Sequence, residues 1–194
     1  MLFSFLACTS TGQNSEDKIK VLIVDGINNH DWKNTTIAAK ATLERTGRFT
    51  VDVSTTPGRR ATKEEWAAWK PDFFNYDVII GNFNDDCEID GGCEIDWSKE
   101  TMANFEKFVS EGGGFVPIHA ADNSFTRWPA YNEMIGGGGW GGRQAGVNGY
   151  LYRLIDGEWT RSSPDKGLSG EHGRQREFLV IHDQPDHPIV KGLP

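Results

Sequence analysis

The chain predicts a doubly wound α/β fold, a parallel sheet with helices on both faces. Three observations carry that expectation. Short apolar runs, KVLIV at residues 20–24 and YDVIIG at residues 76–81, close on Asp-Gly or Gly, as expected of strands buried on both faces. Segments with helical spacing lie between such runs. Strand and helix alternate through four strands before residue 119, the order of a parallel three-layer sheet.

Each element has its own reason. Residues 20–24 form the first strand, ended by Asp25-Gly26. Residues 34–45 follow with helical spacing through Ile37, Ala41 and Glu44, and Gly47 stops them. Residues 50–53 alternate as a second strand, and residues 63–69 form a short helix. Residues 76–81 are the third strand. Ser98 caps a helix whose apolar face is Met102, Phe105, Phe108 and Val109, with Gly112 at its end. Residues 114–118 are the fourth strand. Right-handed crossovers between parallel strands then place helices on both faces. Past Phe125 the order weakens. Residues 150–155 and 177–181 have strand character and are expected at the sheet edge.

The 194 residues are enough for one sizeable domain. Charged residues are 25% and hydrophobic residues 37%, a globular balance. The net charge of −8, with no basic stripe, argues against a nucleic-acid partner, because phosphate binding needs clustered Lys and Arg. No apolar run approaches the ~20 residues of a membrane helix. The start, MLFSFLACTSTGQNSEDK, has another character. Residues 2–7 are apolar, Cys8 follows, and a polar stretch leads to Lys18. It resembles the tail of a bacterial lipoprotein signal, with Cys8 as the lipid anchor. The apolar part is shorter than an ordinary h-region of ~7–15 residues, and no basic segment precedes it. Residues 1–18 are therefore expected to be a signal remnant and tether, and residues 19–194 one domain. The location is expected to be outside the cytoplasm, periplasmic or membrane-anchored, with a cytoplasmic protein as the alternative. Cys87 and Cys93 flank Gly91-Gly92 in DDCEIDGGCEID. A short loop disulfide suits an oxidising compartment, and two free thiols are the alternative. A thiolate zinc site lacks its other two ligands there.

The chemistry concentrates at residues 112–142, GGGFVPIHAADNSFTRWPAYNEMIGGGGWGG. The fourth strand ends in His119-Ala-Ala-Asp122-Asn123. His30 lies in GINNHDW, after the first strand. In a parallel sheet both loops fall on the carboxyl edge, where ligands bind. His30 and His119 are thus expected to converge, and His172 in GEHGR is placed to reach over the same edge. His182 and His187 lie in IHDQPDHPI, the latter before a proline and so a turn residue. Two or three imidazoles in a cleft suit a divalent metal, zinc or a similar ion, or general acid/base work. Asp31 and Asp122 stand beside two of these histidines, as orienting carboxylates or as the acid of a 2-His-1-carboxylate set. The expected catalytic residues are His119, Asp122 and Asp31, and the expected metal ligands His30, His119 and His172. Asn123, at the strand end, and the loop aromatics Trp140 and Trp32 are the expected substrate contacts; loop aromatics can stack on sugar rings, though they are more often simply packed. GGGGWGG matches a dinucleotide fingerprint only literally. That fingerprint must follow the first strand and open a helix, so no nucleotide cofactor is expected.

GINNHDW, EGGGFVPIHAADNSFTRWPAYNEMIGGGGWGGR and GEHGRQREFLV…DHPIVKGLP together resemble the ThuA-like (trehalose utilisation) family, from Lys18 to Pro194. The resemblance implies a class I glutamine amidotransferase-like fold, with a flavodoxin-like parallel sheet. It also implies a role in bacterial sugar metabolism, on disaccharides oxidised to 3-keto forms, with a divalent metal held by histidines in some members. His30, Asp31, His119, Asp122, Asn123, Trp140 and His172 match the family's motifs. Arg176-Glu177-Phe178 stands where relatives tend to read His-Glu-Phe. Relatives continue past Pro194 into a motif with a further histidine and an Asp-Glu-Leu-Tyr run, so the domain is expected to be C-terminally truncated.

Two readings compete. In the first, the chain is an enzyme, a lyase, hydrolase or isomerase acting on a small-molecule sugar or keto-sugar. In the second, it is a non-catalytic carbohydrate-binding or scaffold domain on the same fold. A true glutamine amidotransferase is set aside, because that chemistry needs a cysteine nucleophile beside a histidine. Cys87 and Cys93 sit among carboxylates, which disfavour a thiolate. The oligomeric state is left open.

Overall fold

The computed structural model describes residues 17–85, 97–125, 128–136, 152–161, 174–182 and 184–193. Cys8, Cys87, Cys93, Trp140, His172 and the glycine run after Gly136 lie outside the described residues.

Four parallel strands form the sheet: β1 (Ile19–Asp25), β2 (Phe49–Thr55), β3 (Val78–Gly81) and β4 (Gly114–Pro117), in the order β2-β1-β3-β4. That order, with the reversal beside β1, is the flavodoxin-like doubly wound arrangement. Alternate residues of β1 feed two separate cores. Val21 and Ile23 join Val51 and Ile80 beneath Ala39 and Leu43 of α1 (Trp32–Arg45). Leu22 and Val24 join Ile79 beneath Trp66 of α2 (Lys63–Ala68), Phe105 and Phe108 of α3 (Lys99–Ser110), and Tyr131 of α4 (Pro129–Met134). The three layers expected from the sequence are present.

The helices start at side-chain caps. Asp31 accepts the Asn34 amide, Thr62 and Glu65 form a reciprocal capping box, and Ser98 accepts the Thr101 amide. α1 begins two residues before Asn34 because Asp31, not Lys33, supplies the cap. α4 escaped the periodicity, being one and a half turns long, although Pro129 stands at its start as proline favours. No helix among the described residues is long and apolar enough to cross a membrane.

The expectation of strands added at the sheet edge is corrected. β5 (Tyr152–Ile155) pairs antiparallel with β6 (Glu158–Arg161) in a separate two-stranded sheet. Asp156 and Gly157, at φ of 52° and 85°, make the turn between them. Both residues are left-handed, which matches the twist of a two-residue hairpin and favours local pairing. Residues 177–181 form no strand. Phe178 and Leu179 are each 82% exposed, and among the described residues no strand pairs with this apolar run, which leaves it no ladder to join.

One buried polar group ties α1 to the sheet. Asp25, at the end of β1, accepts hydrogen bonds from the Thr36 and Thr55 hydroxyls, both at 2.7 Å. Asn82 Nδ2, past the end of β3, donates to Thr36 Oγ1 at 3.0 Å and to the Trp32 carbonyl at 2.9 Å. Asn82 is 2% exposed, so truncation removes two bonds at a place where water cannot readily replace them. Asn82→Ala should lower unfolding stability by about 1–3 kcal/mol. A urea midpoint within a few tenths of the wild type's would refute that.

Candidate functional site

β1, β3 and β4 run in the same direction, so the segments that follow them gather at one edge. The first is the loop from Gly26 to Asp31. Gly26 sits at φ of 128°, and a Cβ there would lie 2.3 Å from Thr56 Oγ1, so only glycine allows this turn. The His30 amide donates to Asn28 Oδ1 at 2.9 Å, and the Trp32 amide donates to the His30 carbonyl at 2.8 Å. Two such turns bring the His30 side chain up from the loop, and it is exposed.

The second is a 3-10 turn, His119–Asn123, that opens directly off β4. Ala120 and Ala121 are buried there. A Cβ at Gly81 would lie 3.7 Å from the Ala121 Cβ, so small residues meet on both sides of this packing. His119 itself has φ of 48°, in the left-handed region that few side chains adopt. At the other end of the turn Phe125 has φ of 56° and is buried. Non-glycine residues in that region cost about 1–3 kcal/mol each and persist where their surroundings hold them.

The two histidines meet. Their ring centroids are 4.6 Å apart, with the planes at 45°. The convergence expected from parallel topology is therefore present, although 89 positions separate the residues. Asp122 is half-buried and stands three residues after His119, which a 3-10 helix brings round to the same side. Asn123 is also half-buried, and its Oδ1 is shielded from solvent with no hydrogen-bond partner among the described residues. Tyr131 fastens the turn from below, its hydroxyl donating to the Ala121 carbonyl at 2.7 Å.

The other expected site residues are placed differently. Both carboxylate oxygens of Asp31 accept from Asn34, Oδ1 from the amide at 3.3 Å and Oδ2 from Nδ2 at 2.6 Å. That carboxylate caps α1. Trp32 is the first residue of α1 and is half-buried, with Lys33 Nζ 5.4 Å from its ring centroid. His182 is half-buried. His187 lies in a turn, its Nδ1 accepting the Ile189 amide at 3.3 Å. His172 and Trp140 lie outside the described residues. Among the described residues no three His, Cys, Asp or Glu side chains gather as a metal-binding group.

Residues 82–85, Asn-Phe-Asn-Asp, were not singled out in the sequence, yet they join the two histidine loops. All four are buried. Asn84 Nδ2 donates to Asn29 Oδ1 at 3.0 Å, and the Asn84 amide donates to the Ile27 carbonyl at 2.7 Å. On the other side, the Ser124 hydroxyl donates to the Phe83 carbonyl at 2.8 Å. The Phe125 amide donates to Asp85 Oδ2 at 3.0 Å. The signal that could have found them is two Asn and an Asp directly after a buried strand, where solvent cannot satisfy them.

A parallel α/β protein with a histidine pair at the carboxyl edge is the class that fold and site define. The family model for ThuA, trehalose utilisation, matches residues 20–194, and the chain belongs to that family. Its fold is also that of a ThuA-like protein from Parabacteroides merdae, whose crystal structure superposes with a TM-score of 0.77 at 34% identity. The match covers 92% of this chain and 59% of the other, so the chain spans about three fifths of that relative's length. No curated protein matches the chain.

The left-handed backbone at His119 makes a stability test possible. His119→Gly removes the side-chain penalty but adds freedom to the unfolded chain, so stability should stay level or rise by up to about 1 kcal/mol. His119→Val, β-branched at positive φ, should lose more than about 1 kcal/mol. Equal urea midpoints for the two variants would show that the backbone there is unstrained.

Proposed function

We propose that this edge is a sugar site, and that the protein acts on a 3-keto disaccharide or glycoside through His30 and His119. The observation that supports this most is the ring pair itself, two exposed imidazoles held together at a ligand-binding edge at the cost of a left-handed backbone. The family's description, trehalose utilisation, supports the substrate class.

A ketone acidifies the C–H bonds beside it, and a neutral imidazole is a suitable base for such a proton. One of the pair removes that proton, and the other stands within reach of the developing oxyanion. Asp122, on the same side of the 3-10 turn, stabilises the imidazolium that forms.

As an alternative to that base role, the spacing of the pair is compatible with one shared divalent metal, and an imidazole that ligates has no lone pair left for a substrate proton. Zinc–nitrogen bonds of about 2.0–2.1 Å let two imidazoles share one ion when their centroids lie roughly 5 Å apart, close to the spacing here. His30 and His119 would be two ligands, and His172 is proposed as the third. A bound metal would supply Lewis-acid polarisation of the sugar carbonyl.

Zinc titration by calorimetry, paired with turnover of a 3-keto disaccharide, tests both parts. His119→Ala and His30→Ala should each lose zinc binding, and His119→Ala should lower kcat by about 10²–10⁴-fold. Unchanged turnover in His119→Ala would remove the catalytic reading. Saccharide affinity without any converted product, unaffected by chelator, would move the protein to the alternative, a carbohydrate-binding domain.

A further inference from the structure

The two histidines meet only if the turn after β4 keeps its shape, and that turn carries a left-handed residue at each end, His119 and Phe125. Phe125 is a large buried aromatic, so nothing intrinsic favours its backbone conformation. Its amide nevertheless points at Asp85 Oδ2, 3.0 Å away and 40 positions distant in sequence. Its carbonyl accepts from Asn132 Nδ2 at 3.3 Å. Asp85 is 2% exposed, and a buried carboxylate bonded to a backbone amide is a strong, directional anchor. The neighbouring Ser124 hydroxyl is bonded to the same segment, at Phe83. That segment in turn grips the His30 loop through Asn84.

We infer that Asp85 is a positioning residue for the histidine pair: it holds the far end of the turn in its left-handed form and thereby sets His119 against His30. The inference rests on the reading that this pair is the working site. Its mechanism is geometric. Without the Oδ2 acceptor the Phe125 amide is buried and unsatisfied, and the turn lowers its energy by letting Phe125 return to negative φ. With only Tyr131, Ser124 and Asn132 left to hold it, the turn shifts at its far end, and the His119 ring moves away from its neighbour.

The test is nuclear magnetic resonance on the unliganded protein, comparing Asp85→Ala with Asp85→Asn. Asparagine keeps an acceptor oxygen in the same place; alanine does not. The wild type and Asp85→Asn should both show a nuclear Overhauser effect between the His30 and His119 ring protons. Asp85→Ala should lose it while its spectrum stays dispersed. An inter-ring effect of wild-type strength in Asp85→Ala would overturn the inference, and so would equal loss in both variants. If Asp85→Ala does not fold, amide exchange in the wild type decides the matter. The Phe125 amide should exchange far more slowly than an open-loop amide, and exchange at the unprotected rate would refute the anchor. No sugar or metal is present in these measurements. Failure here leaves the sugar site standing, and failure of turnover leaves Asp85 standing.

Discussion

Four buried residues after β3 hold the carboxyl edge together. Residues 82–85 run between the loop that carries His30 and the turn that carries His119. The side chains of Asn82 and Asn84 bond toward the first. Phe83, through its carbonyl, and Asp85 bond toward the second. One short segment thus serves two neighbours, through side chains on one side and through a carbonyl and a carboxylate on the other. A buried amide or carboxylate left unpaired costs more than the bond it would make, so the network holds both loops firmly.

The same segment accounts for strain that would otherwise relax. His119 and Phe125 both lie in the left-handed region, at an energetic cost that the surrounding bonds offset. Tyr131 fastens the middle of the turn, Asn132 and Asp85 its far end. The alanines between them are small because Gly81 and the core lie directly below. Site geometry at this edge is therefore a property of core packing as much as of the loops. The fold defines a family and a location for ligands, while the reaction depends on which side chains stand there.

The meeting of His30 and His119 at one edge of the candidate site is legible in the sequence. His30 follows β1 and His119 follows β4, and parallel strands send both loops to one edge. That argument needs only strand order. Residues 82–85 were not legible, because whether Asn and Asp bond to water, to themselves or to another loop depends on neighbours tens of positions away. Asp31 reads as a site carboxylate beside His30, but its short side chain is taken by the start of α1. The apolar run at residues 177–181 has strand composition, yet a strand exists only where a partner offers its edge. The β5–β6 hairpin did have a local marker, Asp-Gly between two β-rich segments, and its pairing is correspondingly local.

The sequence by itself determined the layers, the four parallel strand runs, the Ser98 cap and the edge to which both histidine loops go. Those depend on periodicity, on capping residues a few positions apart and on the direction of parallel strands, all local or topological. Only the tertiary structure decided that His30 and His119 stand 4.6 Å apart, that His119 is left-handed, and that Asp85 anchors Phe125. Each of these is a contact between distant parts of the chain. Its energy comes from burying polar groups against one another, and no local pattern of residues encodes that.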